Sequence, residues 1–210
     1  ITHLDVVPAG NGWDGDPFCM RRQGDWLIGR GVADDKGPSV LCLYIAKFLK
    51  EQGIVPRYNF RVLLGCNEET GMQDVEYYLE NYPAPDFCFP PDASFPVCNG
   101  EKGVYSADLI SNVLNGNLVD FQGGVASNAV PDLAHCVVKA SLENLPQKEN
   151  ISLSTAGEGL VRIEGKGKAG HAAFPAGTVN AIGVIVDYLL ENNLCTPEEN
   201  GYLQLLQKLF

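Results

Sequence analysis

The chain has 210 residues, 45% hydrophobic and 20% charged, the balance of an ordinary globular protein with one large domain or two small ones. Its formal net charge of -11 argues against nucleic acid, whose binding needs clustered Lys and Arg, and no apolar run approaches the roughly 18 residues of a membrane span. The seven Cys are odd in number, form no C-x-x-C and sit partly in apolar segments, as Cys42 and Cys136 do; they read as reduced thiols of a cytoplasmic protein.

The chain opens on Ile1-Thr2-His3-Leu4-Asp5, which reads as the middle of a strand with no initiator Met, so an N-terminal part is expected to be missing. A Pro/Gly loop follows over Pro8–Phe18, then a short strand over Trp26–Arg30. Apolar residues at Val40, Leu41, Tyr44, Ile45, Phe48 and Leu49 have helical spacing over Pro38–Gln52. Pro38 suits the first turn and Gly53 the stop. Tyr58–Gly65 reads as a buried strand, Met72–Asn81 as a second helix and Phe87–Phe89 as a further short strand. Strand–helix alternation predicts an α/β unit with a parallel sheet and crossover helices.

The rhythm changes after Gly103, where a domain boundary is predicted: 1–103 and 104–210. Val104–Ile110, Ala134–Ser141 and Gly159–Glu164 read as strands, with a turn signal at Asn115-Gly116-Asn117. Val179–Glu191 reads as an amphipathic helix and Pro197–Phe210 as another, which makes this an α+β unit. The chain stops inside that last helical pattern, so a C-terminal part is expected to be missing too.

Four polar clusters fall at predicted strand ends, where sites form in open α/β sheets. In His3-Leu4-Asp5, residues i and i+2 share a strand face, so the Asp5 carboxylate can accept a hydrogen bond from the other ring N–H of a metal-bound His3. Gly29–Gly37 holds Asp34 and Asp35 just before a helix; a carboxylate there could bridge two cations, or simply cap the helix. Glu68 and Glu69 would repel each other at a strand end unless cations or protons separate them, though a surface acidic pair is the plain alternative. Asp92 follows Pro90-Pro91, where a turn Asp is ordinary. Jointly, His, Asp, Glu-Glu and Asp at successive strand ends form a mixed nitrogen/oxygen donor set that suits zinc or a similar divalent ion.

The segments HLDVVPAGNGW, GRGVADDKGP, CNEETG, PPDASFP and NGEKG closely resemble the dinuclear zinc dipeptidases of the PepV type. These belong to the superfamily of carnosinase, carboxypeptidase G, acetylornithine deacetylase and succinyl-diaminopimelate desuccinylase. The resemblance implies an α/β catalytic domain with a mostly parallel sheet and flanking helices, plus an inserted α+β lid domain, both incomplete in this chain. It implies two Zn2+ (with Mn2+ or Co2+ as substitutes) and hydrolysis of dipeptides by a water that bridges them. His3 and Asp92 would hold one zinc, Asp34 would bridge both across a cis peptide bond to Asp35, and Glu69 would hold the other. Glu68 would be the general base and Asp5 would orient His3. Gly123–Pro131 and Gly167–Pro175 also resemble family stretches. They imply that His171 donates to the developing oxyanion and that Asn128 contacts the substrate. His135 matches no motif and reads as structural. A further His that completes the second zinc shell has no counterpart among His3, His135 and His171, so weak zinc binding and little activity are expected of these 210 residues alone. The alternatives are an N-acyl amino-acid deacylase with the same metals, or an inactive fragment that serves as a binding module. The expected partner is a small peptide substrate, with neither nucleic acid nor membrane.

Overall fold

The computed structural model describes residues 1–93, 96–103, 105–110 and 116–209. The chain divides into two compact units, Ile1–Ala9 with Trp13–Tyr105, and Gly10–Gly12 with Ser106–Phe210. No described helix is long and apolar enough to cross a membrane.

In the first unit, strand β1 (Thr2–His3) pairs in parallel with β4 (Leu64–Gly65), in the register Thr2↔Leu64 and His3↔Gly65. Between them lie the hairpin β2 (Arg21–Gln23) and β3 (Trp26–Ile28), a wide turn over Val32–Lys36, and helix α1 (Gly37–Glu51). Pro38 occupies the first turn of α1, where its missing N–H costs nothing. The helix stops at Gly53, whose φ of 63° lies in the left-handed region, while Ile54 N donates back to Leu49 O at 3.0 Å. A tight turn over Glu68–Thr70 leads into α2 (Gln73–Asn81), and Tyr82, extended ahead of Pro83, ends it.

The parallel sheet expected here is limited, among the described residues, to the β1/β4 pair. The predicted strand over Tyr58–Gly65 is realised only at Leu64–Gly65, and Phe87–Phe89 is not a strand. A strand needs a neighbour for its N–H and C=O groups, and the two-residue β1 ladder reaches only as far as Leu63, whose carbonyl accepts from Thr2 N. Tyr58 and Phe60 are exposed, contrary to the expectation of a buried strand. The strand expected over Val104–Ile110 is likewise not formed at 105–110; Val104 and Asn115 lie outside the described residues.

The second unit is a four-stranded antiparallel sheet in the order β5-β7-β9-β8, built from β5 (Leu118–Gly123), β7 (Leu133–Lys139), β8 (Ile151–Gly157) and β9 (Leu160–Lys166). A separate short pair joins β6 (Ala129–Val130) to β10 (Gly170–His171). Alternation sorts the two central strands. Ala134, Cys136 and Val138 of β7 and Val161 and Ile163 of β9 face the core, while His135, Val137, Arg162 and Glu164 face outward. Helices α3 (Ala181–Glu191) and α4 (Pro197–Gln207) cover the inner face through Ile185, Val186, Tyr188, Leu189 and Leu203. Each such buried aliphatic side chain contributes about 1.5–3 kcal/mol. Gly165 lets β9 approach α3: a Cβ there would lie 2.7 Å from Ile185 Cγ1 and 2.8 Å from Ala181 O.

Both helices have side-chain caps. Asn180 accepts from Ile182 N at 2.9 Å, and Thr196 forms a reciprocal capping box with Glu199. Glu199 is 1% exposed and extends the box into tertiary structure, accepting also from Asn117 N (3.1 Å) and Leu118 N (2.8 Å) at the start of β5. Burial alone would raise its carboxyl pKa; the N–H groups of Thr196, Leu118 and Asn117 outweigh that and hold it below the ordinary value.

Candidate functional site

His3 is the pivot of the first unit. The β1/β4 ladder fixes its backbone, and its own N–H donates to Asp35 Oδ2 at 3.2 Å. The ring is buried, with 2% of the residue exposed. Nδ1 lies 3.0 Å from the backbone oxygen of Asp5 and 3.3 Å from Asp5 Oδ1, both acceptors, so a cation bound at Nε2 would leave the ring proton on Nδ1. Nε2 in turn faces three carboxylates: Asp34 Oδ1 at 2.9 Å, Asp92 Oδ2 at 3.2 Å and Glu68 Oε2 at 4.0 Å.

Two backbone devices bring those carboxylates to the ring. The wide turn Val32–Lys36, entered through Gly31 at φ 81° and containing a cis Asp34–Asp35 peptide bond as the resemblance implies, delivers Asp34 to His3 and buries Asp35 completely. The Glu68–Thr70 turn is held by Asp5, whose two carboxylate oxygens accept from Glu68 N (3.3 Å) and Glu69 N (3.1 Å). Asp5 therefore ties the His3 strand to the turn that carries both glutamates. Glu69 Oε1 accepts from Val7 N at 3.3 Å, which adds a second tie.

The electrostatics follow from this crowding. Burial works against a charged His3 imidazole, but the Asp34 hydrogen bond and the carboxylates of Asp92, Asp34 and Glu68 outweigh it and raise its pKa. Burial raises the Asp35 carboxyl, with Asp92 and Asp34 adding repulsion against the His3 N–H. Burial likewise raises Glu68, and Glu69, Asp92 and Asp34 reinforce the shift against the pull of His3.

Ligand-type atoms of His3, Asp34 and Asp92 lie within 4.8 Å of one another, as do those of His3, Glu68 and Glu69. A lone pair on Nε2 facing two carboxylate oxygens at hydrogen-bond distance is repulsive unless a cation, proton or metal, sits among them. One imidazole nitrogen with several carboxylate oxygens is the donor chemistry of a zinc-like divalent ion, and the residues fit such a group.

The second unit places Asn128 and His171 side by side. The β6/β10 pairing sets His171 opposite Ala129, and Ala172 N donates to Asn128 O at 2.8 Å. His135 lies elsewhere, on the outer face of the four-stranded sheet, 3.4 Å from Asp120 Oδ2.

Three residues that sequence reasoning left without a role anchor the first unit's cluster. Asp35 grips the His3 backbone, and its Oδ1 is buried without a hydrogen-bond partner among the described residues. Ser39 donates to Asp35 O (2.9 Å) and His3 O (3.4 Å), and Lys36 Nζ donates to Leu4 O at 2.6 Å. The only signal in the sequence was their adjacency to Asp34.

Comparison with known proteins adds an independent line. A 143-residue stretch, 66% of this chain and 30% of the relative, is 41% identical to the Beta-Ala-Xaa dipeptidase of Lactobacillus delbrueckii subsp. lactis. Over 213 residues, covering 92% of this chain and 45% of the relative, it is 33% identical to "Putative dipeptidase SH1171" of Staphylococcus haemolyticus. Similar proteins of Staphylococcus saprophyticus and Staphylococcus aureus are also 33% identical over 211 residues. The chain spans less than half the length of these relatives. The model of peptidase family M20/M25/M40 matches residues 1–166, a stretch that takes in His3, Asp34, Glu68, Glu69 and Asp92, and the chain belongs to that family.

Proposed function

We propose that the chain contributes the metal-binding half of a cytoplasmic dinuclear zinc dipeptidase. The observation that carries this reading is the convergence of His3 Nε2 with Asp34, Asp92 and Glu68 around one point. The dipeptidase names of the relatives support the substrate class, and the free thiols of all seven Cys support the compartment. In this reading residues 1–103 are the catalytic part and 104–210 the lid part.

His3, Asp34, Asp92 and Glu69 would hold the two zinc ions, which would polarise the scissile carbonyl and acidify a water molecule. The protein's own part is proton handling and positioning. Burial and neighbouring carboxylates raise the Glu68 pKa and so make it a stronger base, able to take a proton from water and pass it to the leaving amine. Asp5 fixes the tautomer of His3 and, through the N–H groups of Glu68 and Glu69, the place of the base relative to it. His171 and Asn128 of the second unit would contact oxygens of the substrate.

The test pairs zinc calorimetry with hydrolysis, in the 210-residue protein and in a chain extended to the length of the curated relatives. His3→Ala is expected to remove zinc binding, whereas Glu68→Gln is expected to keep zinc and lose hydrolysis. Unblocked dipeptides are expected to be cleaved in preference to N-acetyl or N-succinyl amino acids. Zinc binding that His3→Ala leaves unchanged would refute the reading, and preference for the N-acyl substrates would transfer the protein to the deacylases.

A further inference from the structure

His3 and His171 are held in opposite ways. The ring of His3 turns Nδ1 toward two acceptors, whereas Nδ1 of His171 receives a donor: Ala173 N lies 3.1 Å away with its N–H directed at the ring nitrogen. A nitrogen that accepts a hydrogen bond has no proton, so in the neutral His171 ring the proton sits on Nε2.

Several bonds hold the turn that makes this contact. His171 is paired with Ala129 across β6/β10, and Ala172 N is bound to Asn128 O at 2.8 Å. Phe174 N donates to His171 O at 2.9 Å, so the chain curls back over the imidazole and aims the Ala173 amide at it. The Phe174 ring flanks the imidazole at 6.1 Å between centroids. Thr178 closes the turn through Pro175 O, with Oγ1 at 2.7 Å and N at 3.0 Å. Gly170 admits this closure, because a Cβ there would lie 2.4 Å from Thr178 Cγ2.

We infer that the backbone amide of Ala173 is a positioning group that fixes His171 as the Nε2–H tautomer, so that this ring presents a hydrogen-bond donor, and no metal-binding lone pair, to a carbonyl or carboxylate oxygen. The inference rests on the proposed substrate role of His171 for its purpose, but not for its geometry. The neutral and the protonated ring both carry Nε2–H, so the donor persists whichever form is present. The two histidines of the peptidase motifs thereby differ at Nδ1: that of His3 faces two acceptors, and that of His171 receives a donor.

The experiment is two-bond 15N–1H correlation of the imidazole rings in the 210-residue protein, at a pH where they are neutral. His171→Gln identifies the His171 signals among three histidines. An isolated peptide of residues 169–175 gives the tautomer ratio without the fold. The expected result is a ratio of Nε2–H to Nδ1–H at least about fivefold above the peptide's, which is what one neutral hydrogen bond supports, together with slowed exchange of the Ala173 amide. A ratio equal to the peptide's, or a majority of Nδ1–H, would overturn the inference. Ala173→Pro, which removes the donor, should return the ratio to the peptide value; if that variant misfolds, the wild-type ratio and amide exchange still decide. Hydrolysis by the extended chain that is insensitive to His171→Gln would defeat the substrate role and leave the tautomer assignment standing, so the two failures are separable.

Discussion

Replacing Glu199 by Gln perturbs one carboxylate that serves three backbone donors. Oε2 accepts from Thr196 N (2.8 Å) and Asn117 N (3.1 Å), and Oε1 accepts from Leu118 N (2.8 Å). An amide has one oxygen. In its better orientation Gln serves Thr196 and Asn117 and turns its NH2 against the Leu118 N–H. One hydrogen bond to a charged acceptor, worth about 1.5–3 kcal/mol, is then lost, and the other two are weakened by loss of the charge, so the expected cost is about 2–4 kcal/mol. Because the folded pKa of Glu199 lies below its ordinary value of 4.5, the stability it supplies is fully present above that pH and is lost as pH falls through the folded value. The gap between wild type and Glu199→Gln should therefore be widest near pH 7 and narrow below about pH 4.5. Urea unfolding followed through the Val138 and Ile163 amides of the buried strands measures it. A loss under about 0.5 kcal/mol, the scale of an ordinary surface change, or a gap constant from pH 7 to the acid limit, would refute the clamp. Gly116→Ala attacks the same clamp from the other side, since its Cβ would fall 2.0 Å from Glu199 Oε1.

Asp5→Asn should lower zinc affinity about 10–100-fold in calorimetry, because an amide cannot accept from both Glu68 N and Glu69 N while also facing His3 Nδ1. Gly165→Ala forces a methyl group into Ile185 and the Ala181 carbonyl, and should cost about 1–3 kcal/mol in urea unfolding of the second unit. Zinc should raise the unfolding temperature reported by tryptophan fluorescence, since Trp13 and Trp26 both lie in the first unit; at a hundredfold excess over Kd the gain is about 2.7 kcal/mol, and chelation should abolish it.

What the sequence made legible follows local rules. Helices α1 to α4 carry their own periodicity and punctuation, from Pro38 and Gly53 around the first to Thr196 and Glu199 on the last, and each forms within two or three residues of its expected bounds. Central strands β7 and β9 were equally plain, because their inward residues are apolar. The edge strands β5 and β8 were missed. Leu118–Gly123 and Ile151–Gly157 mix Asp120, Gln122, Ser152 and Ser154 among few apolar residues, and among the described residues each is paired along one long edge. The reverse error came at Tyr58–Leu63, where an apolar run reads as a buried strand, yet no described neighbour supplies a ladder. Register and partnership are properties of two segments, and one segment cannot state them.

The candidate site shows the same division. His3, Asp34, Glu68, Glu69 and Asp92 were readable as chemical types at predicted strand ends, and the structure groups His3 with Asp34 and Asp92, and with Glu68 and Glu69, within 4.8 Å. The anchoring by Asp35, Ser39 and Lys36 was not readable, because it runs through backbone atoms: His3 N, His3 O, Asp35 O and Leu4 O. These contacts also explain how so much like charge is tolerated in one place. Asp5, Asp34, Asp35, Glu68, Glu69 and Asp92 would drive one another apart if each rested on a flexible side chain alone. Here the two oxygens of Asp5 and one of Asp35 are committed to N–H donors, and Lys36 brings its ammonium to the strand between His3 and Asp5. Asp34, Asp92 and Glu68 crowd His3 Nε2, and on the proposed reading a divalent cation there would offset their repulsion. The backbone ties thus hold Asp5 and Asp35 in anchoring roles.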